Sequence, residues 1–214
     1  MAFLLRVELP DVPGSLGALA TALGGAGADI EAIEIVERQS GGRVVDDVLL
    51  ELPPRVMPDA LVTACHKLAG VNVHWISRYN AGASLSMDLE AVETFTADPD
   101  NAVAELVNVI PVTFRTDWAM ALHKVDGEVA VMSKSSTAPK LVPEAESWLS
   151  IRTAKVLAEL ETWDSTVLAA CPAKDRSGHR FVVVVGRHGG PEFLASEVAR
   201  LGHMVSLAAS VQTV

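Results

Sequence analysis

The chain has 214 residues, half of them apolar and 21% charged, a composition that suits one large domain or two small ones and argues against disorder. Its net charge of −10, from 17 basic and 27 acidic side chains with no cluster of Lys or Arg, excludes nucleic acid as an expected partner. No apolar run approaches the roughly 18 residues of a membrane span, no basic leader opens the sequence, and Cys65 and Cys171 make no disulfide framework, so a cytoplasmic protein with no membrane partner is expected.

Phe3, Leu5, Val7 and Leu9 alternate with Leu4, Arg6 and Glu8, the pattern of a half-buried strand. Pro10-Asp11-Val12-Pro13-Gly14 breaks it. Leu16, Leu19, Ala20 and Leu23 then recur at helical spacing, and Gly24-Gly25-Ala26-Gly27 closes that helix. Ile30, Ile33, Ile35 and Val36 predict a second strand, Ser40-Gly41-Gly42 a turn, and Val45 to Leu52 a third strand. Pro58-Asp59 opens a helix with Leu61, Val62, Cys65, Leu68 and Ala69 inward, and Val71 to Tyr79 form a fourth strand. The order β-α-β-β-α-β, with right-handed crossovers, predicts a ferredoxin-like sandwich of two helices on one face of a four-stranded antiparallel sheet. The other face should carry Leu4, Val36, Leu49 and Ile76 beside charges, and is apolar enough for a partner subunit or a second domain to cover part of it.

Residues 80–88 are small and polar, and the domains are expected at 1–80 and 90–214 with a linker at 81–89. Asp98-Pro99-Asp100 caps a helix holding Ala102, Val103, Leu106, Val107 and Ile110. Trp118 to Val125 and Glu128 to Ser133 read as strands joined by the tight turn Asp126-Gly127. Leu149, Thr153, Val156, Leu157 and Leu160 predict another helix. Val167 to Ala173 and Phe181 to Gly186 are strands, and the run Val182-Val183-Val184-Val185 lacks alternation, so that strand is expected to be central and buried on both faces. A last helix carries Leu194, Val198, Leu201, Val205 and Ala208, and no repeat of the first half is visible.

Asp11-Val12-Pro13-Gly14-Ser15-Leu16 between strand and helix, followed by Gly27-Ala28-Asp29-Ile30 at the next strand, resembles the ACT family over residues 3–80. That resemblance implies a module that binds free amino acids or similar small effectors, usually between two copies, hence a homodimer. It points to Asp11, Val12, Pro13, Gly14, Ser15, Leu16, Asp29 and Ile30 as ligand-binding residues. Asp11 and Asp29 fall where many members hold polar residues, often Asn. As acids they suit an ammonium, while a helix start suits a carboxylate. Residues 166–187 and the Gly-Gly-Pro loop after them resemble, more weakly, GAF-type sensory domains, and no site residue is transferred there. The fold class expected is α+β: a ferredoxin-like βαββαβ ACT-type sandwich followed by a GAF-like α/β/α domain with an antiparallel or mixed sheet.

The remaining motifs carry little chemistry. The six histidines have no metal-ligand spacing, and Cys171-Pro172 reads as a strand end rather than a haem-binding dipeptide. Gly24, Gly25 and Gly27 follow a helix, not a strand, so they form no dinucleotide fingerprint. No phosphate loop and no nucleophile elbow occur. No metal, no cofactor and no catalytic residue is therefore expected. The reading is a non-catalytic regulatory protein that binds an amino acid. Two alternatives stay open: an enzyme with residues 90–214 catalytic and the first domain as its regulator, or an assembly module with no ligand.

Overall fold

A computed structural model describes residues 1–78, 84–163 and 165–213, apart from the side chains at 84 and 85. The chain divides into two compact units, Met1–Ala81 and Gly82–Val214.

The first unit runs β1 (Ala2–Pro10), α1 (Ser15–Gly25), β2 (Asp29–Gln39), β3 (Arg43–Glu51), α2 (Pro58–His66) and β4 (Asn72–Arg78). Its sheet is antiparallel in the order β2-β3-β1-β4. Period-2 alternation turns Phe3, Leu5, Val7 and Leu9 toward the helices, where they pack with Val44, Val48 and Leu50 of β3, Leu19 and Leu23 of α1, and Leu61 and Cys65 of α2. Each large apolar side chain so buried contributes about 1.5–3 kcal/mol. Pro58 sits in the first turn of α2, where a missing amide costs nothing, and Met57 before it is extended.

The face opposite the helices differs from the expectation. Arg6 and Asp47 lie across β1 and β3 from each other and form a two-pronged ion pair, Nε to Oδ1 at 2.7 Å and Nη2 to Oδ2 at 2.9 Å. Both residues are buried, as are Leu4 and Val45. Ile76 is not on this face. A register shift at His74 pairs Ile76 with Leu5 and turns it toward the helices, leaving Trp75 opposite Arg6. Val36 is the extra residue of a bulge in β2. Tyr79, the predicted end of β4, lies outside the described residues.

The second unit runs α3 (Ser84–Ala97), α4 (Ala102–Thr113), β5 (Trp118–Val125), β6 (Glu128–Lys134), α5 (Ala145–Trp148), β7 (Lys155–Val156), β8 (Thr166–Lys174), β9 (Arg180–His188) and α6 (Ala195–Val211). The predicted linker 81–89 is therefore corrected from Ser84 onward, where α3 already begins, and 81–83 lie outside the described residues. The sheet is antiparallel throughout, in the order β6-β5-β9-β8-β7, and the valine strand β9 is central with Phe181 to Arg187 all buried. Asp126-Gly127 makes the tight β5–β6 turn, both residues at positive φ, as a two-residue hairpin demands.

One predicted helix is absent. Between Leu149 and Leu160 the chain forms only the two-residue edge strand β7. Leu149, Leu157 and Leu160 instead lie against the sheet face that carries Trp118, Met120, Leu122, Leu168, Val182 and Val184. A segment draped over a sheet needs apolar residues at irregular intervals, and those intervals mimic helical periodicity. Helices α4 and α6 supply the core on the opposite face, with Ala119, Ala121, Ala169, Cys171, Val183 and Val185 from the sheet.

Candidate functional site

The β1–α1 loop is built by its backbone. Pro10 ends β1, and the Asp11 amide donates to the Gly42 carbonyl at 2.8 Å, tying the loop to the β2–β3 turn. Gly14 precedes α1 at φ +95°, a left-handed conformation that side chains with a Cβ rarely adopt. The Ser15 amide bonds to the Val12 carbonyl and the Ala18 amide to Gly14. The amides of Leu16 and Gly17 have no acceptor among the described residues, no side chain caps α1, and its first turn contains no acid. The helix start thus offers unpaired donors and the positive end of the macrodipole. Val12 and Leu16 are large apolar side chains left exposed beside them.

Around this loop stand charged side chains in three different states. Asp11 pairs with Arg38 at the end of β2, both partly exposed. Glu8 accepts from Arg43 and stands 3.0 Å from the His74 ring. Those hydrogen bonds, His74 first and then Arg43, hold its carboxyl below the usual carboxylate range. Arg43 also donates to the Gly70 carbonyl at 2.8 Å. Asp46 differs from both. It lies opposite Val7 and Ile35, so it shares the helix-facing side of the sheet with the apolar core. Only 2% of it is exposed, and its Oδ1 has no hydrogen-bond partner among the described residues. Burial pushes its pKa up, and the nearby Asp11 carboxylate adds to the rise while Arg38 opposes it.

Of the eight residues expected to bind ligand, Asp11 to Gly14 form this loop, and Ser15 and Leu16 open α1 directly after it. Asp29 and Ile30 are elsewhere. Asp29 opens β2 opposite Glu51, whereas the loop follows Pro10, which lies opposite Arg43. The two positions are separated by the length of β3, about 26 Å at roughly 3.3 Å per residue. Within one chain, then, Asp11 and Asp29 are not neighbouring carboxylates and no small ligand touches both. The acid near Asp11 is Asp46. Its signal was present in the sequence: Asp46-Asp47 inside an apolar strand must put one carboxylate on each face, so one of them faces the helix-side core.

Among the described residues no metal centre and no activated thiol is assembled. Among the described residues no group of three or more His, Cys, Asp or Glu is placed to hold a metal ion. Burial pushes the Cys65 thiol up to about 11 and Cys171 up to about 12, so neither is an activated nucleophile. No helix among the described residues is long and apolar enough to cross a membrane. In the second unit, the sheet face behind Trp118 is filled by indoles, Trp118 edge-on to Trp163 at 5.2 Å and Trp148 to Trp163 at 6.0 Å.

No family model and no curated protein matches the chain. Solved structures do, and several are GAF domains. The GAF domain/HD domain protein from Geobacter sulfurreducens is 19% identical over 56% of this chain and 94% of that one, with a TM-score of 0.44. The free methionine-R-sulfoxide reductase from Neisseria meningitidis, solved with its substrate, is 15% identical over 64% and 93%, at 0.46. A protein named provisionally as a glycine cleavage system transcriptional repressor is 10% identical over 87% and 80%, at 0.29. These likenesses place the chain in no family.

Proposed function

We propose that the protein is a non-catalytic regulator whose first unit, a ferredoxin-like sandwich of ACT type, binds a free amino acid at the β1–α1 loop. What supports this reading is a pair of opposite demands in the first unit, one at the start of α1 and one on β3 near Asp11. The Leu16 and Gly17 amides at the start of α1 want an anion. Asp46, buried with an unpartnered oxygen beside Asp11, wants a cation. A zwitterion meets both, its carboxylate on the amides and its ammonium on the acids. Gly14, with nothing within 4 Å of where a Cβ would stand, keeps the loop open to it.

Asp29 and Ile30 join such a site only when a second copy brings them, so the proposal includes a homodimer through this unit. The second unit would read out the change. Typical coupling between two such sites is about 1–3 kcal/mol.

The test is a thermal shift with each free amino acid. A ligand at about a hundred times its dissociation constant adds roughly 2.7 kcal/mol, which at about 2–4 °C per kcal/mol raises Tm by several degrees. Asp46→Asn should remove most of that shift while leaving the unliganded fold intact. Identical melting curves with all amino acids would overturn the proposal and leave an assembly module as the reading. A shift retained in full by Asp46→Asn would mean that a ligand binds elsewhere.

A further inference from the structure

We infer that the second unit has a separate binding site, a groove between α6 and the β7 edge, for a small molecule with an apolar body and one anionic head. The groove exists because α6 is narrow on that side. Ala199, Gly202 and Ser206 recur at helical spacing along it. At Gly202 a Cβ would come within 3.3 Å of the Ala154 side chain, so the chain before β7 lies close against the helix there. The result is a groove of about 680 Å³, within the range of roughly 300–1,000 Å³ typical of small-molecule sites. Phe193 and Val198, both buried, belong to its apolar lining.

The polarity of the head follows from the rim. Arg152 and Lys155 border the groove, both exposed, and no described residue forms an ion pair or hydrogen bond with either side chain. No Asp or Glu lines the groove, although the chain as a whole carries −10. Two unneutralised cations beside an apolar wall, in an acidic protein, favour an anion and repel a cation. The wall selects an aliphatic or aromatic body.

The experiment uses the whole chain and three probes of equal length, decanoate, decanol and decylamine, each below its aggregation concentration and followed by calorimetric titration. Decanoate should bind one to one, and decylamine at least roughly tenfold more weakly, the scale expected for a charge-assisted contact. The double variant Arg152→Ala/Lys155→Ala should lose roughly tenfold for decanoate and leave decanol unchanged. Ala199→Phe, an exposed position on α6, should block all three, and Ser206→Phe, two turns further along the same face, is the second blocking variant if the first does not fold. Equal affinity for the three heads overturns the inference, as does no decanoate binding at millimolar concentration. Retention of decanoate by both folded blocking variants also overturns it, since the acid would then occupy the neighbouring depression near Trp148 and Leu157, which Arg152 and Lys155 border as well.

Discussion

Arg187 and Asp46 are both buried charged residues, one in each unit, and their surroundings treat them oppositely. Arg187 is 4% exposed and its guanidinium donates to the carbonyls of Phe114, Arg115 and Pro191 and to the Glu197 carboxylate at 3.0–3.1 Å. It also lies 4.2 Å from the centre of the Phe193 ring. Glu197 in turn accepts from the Leu194 amide at the start of α6. One side chain therefore fastens the end of α4, the β9–α6 loop and the first turn of α6. Asp46 is buried as deeply and has an oxygen with no partner. A buried charge whose hydrogen bonds are provided holds the fold together. A buried charge left short of a partner costs stability and marks where something else belongs.

The largest effect should come from Arg187. Replacing it by alanine takes the cation from Glu197 and a donor from three carbonyls, and breaking a buried pair costs about 3–5 kcal/mol, so Tm should fall by about 10 °C. A fall of only a degree or two would show that the network is not structural. Next comes Gly186→Ala. A Cβ there would stand 2.2 Å from the Trp118 indole, whose ring lies directly on the glycine. Overpacking of this kind costs about 1–3 kcal/mol and should also change the near-ultraviolet dichroism of the tryptophans.

Asp46→Asn should act in the opposite direction. A raised carboxylate pKa gives stability that is present below the unfolded value and lost as pH rises through the folded value, so the wild type bears this cost at neutral pH. The variant should be the more stable of the two at pH 7, and the difference should vanish below the ordinary carboxylate range. Glu8 sharpens the contrast, because its pKa is lowered by His74 and Arg43. Its contribution is present at neutral pH and lost as pH falls, so Glu8→Gln should destabilise at pH 7 and matter least in acid. Two variants with the same pH dependence would refute the distinction. The smallest effect belongs to Arg38→Ala. Its pair with Asp11 is partly exposed, and such pairs are worth about 0–1 kcal/mol, so chemical denaturation should place it close to the wild type.

Periodicity and turn chemistry determined much of the fold. The alternation from Phe3 to Leu9, the helical spacing from Leu16 to Leu23, the Asp126-Gly127 turn and the unalternating Val182–Val185 are local signals, and each produced the element it predicts. The stretch from Leu149 to Leu160 failed because its apolar residues answer to a distant sheet face rather than to one another. The loop from Asp11 to Leu16 was legible for the same local reason, since a proline, a glycine and a following helix suffice to place unpaired amides at a helix start. The company it keeps was not. Register along β3 sends Asp29 to the far end of the sheet, and strand pairing together with the pleat turns Asp46 inward. Distance and burial depend on which strands pair and in what register, and that was decided only when the whole sheet closed around its core.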